Sequence, residues 1–439
     1  MESNTIRGVL KEEKEPVIII DKLHSYIDEE INIKVINCEP NEMVTLKATM
    51  RDDMGKNFES EATFQARKDG TVSLSHEKPV EGSYHEIDSF GLFWSMEDQH
   101  STHGDFFYKQ NSDAVSVNLS LEISGQILDT INMTRHFYKE DIRREVIKSN
   151  TFTGVLYHPV KEGKYPGVLL LGGSDGGYLE PAAALLASYG YTVLSLAYFG
   201  LESVPDNLER IPLEYFEKAT YWLKKHPFVN QQVSLIGFSR GGELALQLSS
   251  TYDEYKAVIA VSPSSYVTSG MKNGVFAPIP SWTFNGKDLP YMKFSYPPSM
   301  IFSMFLNWIF KRPSSFLSIW RRSMRNAKKL EEARIRVENI NAPVLSISGS
   351  DDHLWPSDTF VKRMENYLSN HHDQHKHLLY QKAGHFLAFP YSFPSLPSNI
   401  IMQLGKGMAI KFGGTKSANA RATIDAWREI KEFLKTTNA

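Results

Sequence analysis

The sequence is short of several things, and each shortage excludes something. Cysteine is almost absent. Cys38 stands alone among 439 residues, so no intramolecular disulfide can form, which fits a reducing compartment. A basic excess is missing: the formal net charge is −3, where a general nucleic-acid binder would be strongly positive. No apolar run approaches the ~20 residues of a membrane span, and the most apolar stretch, 299–310, is interrupted by Asn307. Residues 1–9 mix Glu2, Asn4 and Arg7 without an apolar run, which reads as no secretory signal. The closing Thr-Asn-Ala is no peroxisomal address. The expectation is a cytoplasmic protein without a nucleic-acid partner, present as a monomer or small homo-oligomer.

What is present falls into two patterns. Up to about residue 140 the chain reads as strands. Val44, Leu46, Ala48 and Met50 alternate with polar residues, as do Ile31, Ile33 and Val35, and Val115, Val117, Leu119, Leu121 and Ile123. A period of two puts each set on one face of a half-buried strand. Turn signals such as Asp52-Asp53-Met54-Gly55 separate the runs. Several short strands at this spacing predict a β-sandwich. From about 141 onward, apolar runs alternate with helical segments: strands at 168–171, 192–196, 233–236, 257–261, 343–347 and 377–380, and helices at 181–189, 213–224, 359–368 and 421–434. That alternation predicts an α/β domain with a doubly wound, mostly parallel sheet. It fails between 263 and 330, which reads as a lid-like insertion.

The strongest chemical signal is Gly237-Phe238-Ser239-Arg240-Gly241. It follows the apolar run 233–236 and precedes a helical one, the strand–turn–helix setting of a G-x-S-x-G nucleophile elbow. The plain alternative is a glycine-rich junction that happens to hold a serine. A serine hydroxyl is a poor nucleophile until a base oriented by an acid activates it. In α/β-hydrolases these follow in the order nucleophile, acid, histidine. Here Gly349-Ser350-Asp351-Asp352 follows one strand and Ala383-Gly384-His385 another. Asp351 and Asp352 compete for the acid role. Asp352 is preferred because related hydrolases place the acid three residues after the glycine, which leaves Asp351 to the turn. The expected catalytic set is Ser239, Asp352 and His385. The oxyanion hole needs two backbone donors, expected from Arg240 and, in the loop Gly172-Gly173-Ser174-Asp175-Gly176-Gly177, from Ser174. That loop lacks G-x-G-x-x-G spacing and does not read as a dinucleotide site. The chemistry needs no cofactor and no metal.

These residues resemble the acyl-CoA thioesterase / bile acid-CoA:amino acid N-acyltransferase family over nearly the whole chain. The resemblance rests on Asp88-Ser89-Phe90-Gly91-Leu92-Phe93-Trp94-Ser95-Met96, Leu196-Ala197-Tyr198-Phe199, the elbow with Gly242-Glu243-Leu244, Gly349 to Trp355, Gly384-His385 and Asp425-Ala426-Trp427. It implies an immunoglobulin-like sandwich over 1–140 and an α/β-hydrolase domain over 141–439, with the triad on Ser239, Asp352 and His385. The amino-acid-conjugating branch uses cysteine as nucleophile. Ser239 therefore implies a thioesterase taking acyl-CoA as small-molecule substrate. The insertion from Tyr291 to Leu330, without counterpart in the animal thioesterases, and the lack of a mitochondrial or peroxisomal address point to a bacterial, cytosolic branch. A carboxylester hydrolase and an acyl-CoA:amine N-acyltransferase remain alternatives on the same scaffold.

Two segments carry further readings. Between Asp288 and Glu331 no acidic residue occurs, while Lys293, Lys311, Arg312, Arg321, Arg322, Arg325, Lys328 and Lys329 are basic. The cluster Met300 to Phe310 precedes most of them. This suggests a lid whose apolar part lines an acyl pocket and whose basic part attracts coenzyme A phosphates. Transient membrane contact through 299–330 is a second reading, and a helix pair with a solvated basic face the plainest. The tract His371-His372-Asp373-Gln374-His375-Lys376-His377 invites a metal, but a solvated loop is the simpler expectation.

Overall fold

The protein is described by a computed structural model covering residues 15–101, 104–296, 298–325, 327–368, 375–404 and 408–438. The N-terminal part is β-rich. Seven strands form one sheet, whose centre is Gln126–His136, Val115–Ile123, Met43–Arg51 and Asn57–Gln65; three more, Val17–Ile20, Ile33–Ile36 and Val72–Ser73, form a second. Period-two alternation decides which face is buried. Val44, Leu46, Ala48 and Met50 turn inward, and Leu46 lies opposite Leu121 and Met50 opposite Val117. The inward residues of both sheets belong to one core, giving an immunoglobulin-like two-layer sandwich. The stretch Gly91–Trp94 departs from the strand pattern as a single buried helical turn.

The rest is built on an eight-stranded sheet in the order Ile142–Lys148, Thr153–Pro159, Thr192–Ala197, Tyr165–Leu171, Val229–Phe238, Val258–Val261, Val344–Gly349 and His375–Tyr380. The last six are parallel, and Thr153–Pro159 runs antiparallel to both its neighbours. Helices on both faces bury the central strands throughout, as in Val258–Val261 and Val344–Gly349. From Tyr165–Leu171 the chain moves to one side, then returns to add Val229–Phe238 on the other. The strand order reverses there, and ligands of open α/β sheets bind at the carboxyl ends of strands at such a point. The loop 172–177 and the Ser239 turn occupy that position.

The two parts share buried surface. Phe106 packs on Phe386 and Phe412 at 5.0 and 6.0 Å between ring centres. The Phe107 N–H donates to Asn399 Oδ1 at 2.9 Å, and the Ser398 N–H to the Trp94 carbonyl at 3.0 Å. Lys416 Nζ donates to the carbonyls of Ser95 and Met96. The 88–96 motif therefore forms much of the seam between sandwich and hydrolase sheet.

The insertion is more ordered than its sequence suggested. It contains the strand pairs Ser269–Lys272 with Val275–Pro280 and Trp282–Phe284 with Lys287–Asp288, then helices at Pro298–Ile309, Leu317–Ser323 and Ala327–Glu332. In Pro298–Ile309 only Met300 is buried, and Ile301, Phe302, Phe305, Trp308 and Ile309 are exposed, so most of the apolar cluster faces outward and not into an acyl pocket. Among the described residues no helix is long and apolar enough to cross a membrane.

Candidate active site

The serine turn is set by local geometry. Ser239 caps the helix Arg240–Thr251 with φ 55° and ψ −114°, a strained conformation for a residue with a Cβ. The flanking glycines make the turn sterically feasible: a Cβ on Gly237 would lie 2.0 Å from the Gly241 carbonyl oxygen, and one on Gly241 would lie 2.3 Å from that of Leu171. The close approach at Gly241 sets the elbow against the carboxyl end of Tyr165–Leu171, where the glycine-rich loop starts.

That loop is held open by a tyrosine. Tyr391 Oη accepts from the Gly173 N–H at 3.0 Å and donates to Asp175 Oδ1. Its ring lies 4.5 Å from Phe238. The Gly173 N–H is thus occupied, whereas among the described residues the Ser174 N–H has no partner within the chain. The Arg240 N–H is at the first helical position, where no intrahelical acceptor exists.

Asp352 and His385 meet in the interior. His385 Nδ1 lies 2.8 Å from Asp352 Oδ2, and the two residues are 0% and 4% exposed. The carboxylate is saturated: Oδ1 accepts from the N–H groups of Leu354 and Trp355 at 3.0 and 3.1 Å, and Oδ2 also accepts from Ser357 Oγ at 2.8 Å. Its neighbour Asp351 turns away, contacting His353 Nε2 at 3.1 Å and accepting from the Gly414 N–H at 3.0 Å. With Nδ1 on the acid, His385 Nε2 remains buried without a hydrogen-bond partner. A buried polar nitrogen left unpaired is costly and calls for an explanation.

Ser239 and His385 approach from two sides of one strand end. The Ser239 N–H donates to the Val261 carbonyl at 2.8 Å, and the next residue, Ser262, donates from Oγ to the His385 carbonyl at 2.8 Å. The imidazole stands 5.1 Å from Phe238 and 5.7 Å from Trp355, both edge-on. Ser239 and His385 share no hydrogen bond here. Such contacts are often loose before substrate binds and tighten in its complex.

Several supporting residues have no local sequence signature. Gly413 and Gly414 lock the two turns together, and a Cβ on Gly413 would lie 1.9 Å from the Asp351 carbonyl oxygen. Ser262 has φ 44° and also accepts from Trp355 Nε1 at 2.9 Å. Beneath the elbow, Arg240 and Glu243 form a fully buried ion pair at 2.8 Å. Glu243 also accepts from Thr268 Oγ1 at 2.7 Å and Trp282 Nε1 at 3.0 Å. The pair therefore ties the elbow helix to the start of the insertion.

The insertion reaches the site from the opposite flank. Ring contacts of 4.6, 5.1 and 5.7 Å run from Phe294 through Trp320 and Trp355 to His385. Phe294 belongs to the wall of a cavity of about 430 Å³ that Lys293, Arg322, Arg325 and Lys329 also line. His371, His372, Asp373 and Gln374 lie outside the described residues; His377 Nε2 lies 2.8 Å from Ser348 Oγ. Among the described residues no cluster of three histidine, cysteine or acidic side chains is arranged to hold a metal. The lone thiol, Cys38, is buried in the sandwich, where burial pushes it up to about 11.

Known proteins are similar to this chain along most of its length. Residues 28–149 match the family described as acyl-CoA thioester hydrolase/BAAT N-terminal region, and residues 211–438 match BAAT / acyl-CoA thioester hydrolase C terminal. Acyl-coenzyme A thioesterase 6 of Mus musculus is 30% identical over 424 residues, 93% of each chain. Acyl-coenzyme A thioesterase 1 of the same species is 29% identical over 418 residues, and its peroxisomal succinyl-coenzyme A thioesterase 27% over 421, each again covering 93% of both chains. A Pyrococcus furiosus esterase of known structure is similar at a TM-score of 0.39 and 15% identity, covering 67% of this chain and 90% of its own, too loose a likeness to argue from. With both halves matched by its models, the chain belongs to the acyl-CoA thioester hydrolase/BAAT family.

Proposed function

We propose that the protein hydrolyses acyl-CoA to free acid and CoA through an acyl-enzyme on Ser239. His385 Nε2 takes the Ser239 proton as the hydroxyl oxygen attacks the thioester carbon. The N–H groups of Arg240 and Ser174 hold the oxyanion. Collapse breaks the C–S bond, and His385 returns its proton to the departing CoA sulfur. Water then attacks the acyl-enzyme, giving its proton to His385 and releasing the acid and the serine hydroxyl. Asp352 fixes the imidazole tautomer and stabilises the imidazolium. The observation that carries this reading is His385 itself: its Nδ1 is committed to Asp352 while Nε2 is buried and unpaired.

In this reading residues 1–140 are the supporting sandwich and 141–439 the catalytic domain. The cavity lined by Lys293, Arg322, Arg325 and Lys329 receives the CoA phosphates. The protein works in the cytoplasm as a monomer or small homo-oligomer. Amine transfer is disfavoured because the elbow holds serine and the sole cysteine is remote.

The test is thiol release from acyl-CoA of graded chain length, with products identified in the presence of glycine or taurine. Free acid and CoA are expected. Conjugate in place of acid, or alcohol released only from oxygen esters, would overturn the reading.

A further inference from the structure

The helix Pro298–Ile309 inverts the usual arrangement of an amphipathic helix. Ile301, Phe302, Phe305 and Ile309 are spaced by one, three or four positions, so they form one stripe. On a helix that packs on its own protein such a stripe faces the core. Here these four and Phe310 are between 50% and 63% exposed, and Trp308, its ring tilted 37° to that of Phe305 at 6.1 Å, is 46% exposed. The helix is tethered instead through its other side, by buried Met300 and by Asn307 Nδ2 donating to Ser314 Oγ at 3.3 Å. A continuous apolar patch of this kind on a folded chain marks an interaction surface.

Charge indicates what meets it. Lys311 and Arg312 follow the stripe directly, both exposed, with the Arg312 guanidinium 5.6 Å from the Phe310 ring. Residues 289–330 carry eight positive charges and no negative one, whereas the rest of the chain carries −11 against the overall −3. A symmetric contact between two copies would set like charges face to face across the patch. An apolar stripe bordered by cations instead matches a bilayer surface, where aromatic and aliphatic side chains enter the acyl boundary and Lys and Arg meet anionic headgroups.

We propose that Pro298–Phe310, with Lys311 and Arg312, docks the protein on anionic phospholipid membranes. The segment lies in the membrane surface and does not span it. This goes beyond the hydrolytic reading and does not depend on Ser239. It places the active site close to the bilayer, because the same insertion continues into Leu317–Ser323, where Trp320 packs on Trp355 beside His385.

Flotation of the full-length protein with vesicles tests this without any turnover. One set is phosphatidylcholine alone, the other phosphatidylcholine with phosphatidylserine. The protein is expected to float with the anionic set, and to dissociate as salt rises well above physiological strength. F302E/F305E and, separately, K311E/R312E are each expected to weaken binding at least about tenfold. Both should leave hydrolysis of a soluble short-chain acyl-CoA unchanged, which also shows that they fold. Equal recovery from anionic vesicles, neutral vesicles and no vesicles would overturn the proposal. So would a concentration-dependent dimer, seen by light scattering, that F302E/F305E dissolves while vesicle binding is absent; the patch would then belong to a second copy.

Discussion

Two regions of this molecule break the rule of apolar inside and polar outside, in opposite directions. At the catalytic rim, Asp352, His385, Arg240 and Glu243 are all buried, in a site where all but a few of their polar atoms are paired. In the insertion, phenylalanine and isoleucine side chains stand in solvent. Burying charge without partners is expensive, and exposing a contiguous apolar stripe forgoes the main driving force of folding. Each violation marks a place where the sequence serves something other than stability. In the proposed mechanism the rim serves one imidazole nitrogen kept free for chemistry. In the proposed docking the insertion offers its stripe to a membrane surface. Altering the first should cost activity, and stability too where a buried charge loses its partner, whereas altering the exposed stripe should cost neither.

The largest effect is expected at the rim. Ser239→Ala should reduce kcat by about 10⁴- to 10⁶-fold with the melting temperature essentially unchanged, as measured by thiol release and calorimetry. Asp352→Asn keeps the shape but leaves His385 with the wrong tautomer, so kcat should fall by roughly 10⁴-fold. If Asp351→Asn did the same and Asp352→Asn did not, the acid would be misassigned. Glu243→Ala leaves a buried guanidinium unpaired and should cost about 3–5 kcal/mol in urea unfolding. In the insertion, Arg322→Glu with Arg325→Glu should raise KM for acyl-CoA by roughly ten- to a hundredfold, the worth of about 1.5–3 kcal/mol of charged hydrogen bonding. KM for a small p-nitrophenyl ester should stay put, and equal rises for both substrates would remove the cavity from CoA recognition. The smallest change is expected for F302E/F305E, within about 0.5 kcal/mol of wild-type stability as for other surface substitutions. A larger loss would mean that the stripe packs on its own protein, and the contrast between the regions would fail.

How far these two regions were legible in the sequence also differs. Central strands such as 192–196 and 233–236 are apolar runs ended by turn residues, so their ends, and with them Ser239, Asp352 and His385, could be placed. The edge strand Ile142–Lys148 and its neighbour Thr153–Pro159 have no such signature, since charged residues and a closing proline blur the apolar run. Gly413, Gly414 and Ser262 act by contacts to residues distant in the chain, and no local pattern announces such a role. Glu243 looked like any residue of a first helical turn until Thr268 and Trp282 were seen to close over it. For the insertion the periodicity told which side chains share a face, but nothing in it tells which way that face points. Only the fold shows it turned outward.

The most direct test of the central claim is to trap the covalent intermediate. The protein is mixed with acyl-CoA, quenched in acid on the millisecond scale, digested and weighed by mass spectrometry. The peptide containing Ser239 should gain the mass of the free acid less one water, and the gain should vanish in Ser239→Ala. Wild-type turnover with the acyl group on another residue, or Ser239→Ala hydrolysing within about tenfold of wild type, a difference of only ~1.4 kcal/mol in the barrier, would contradict the account.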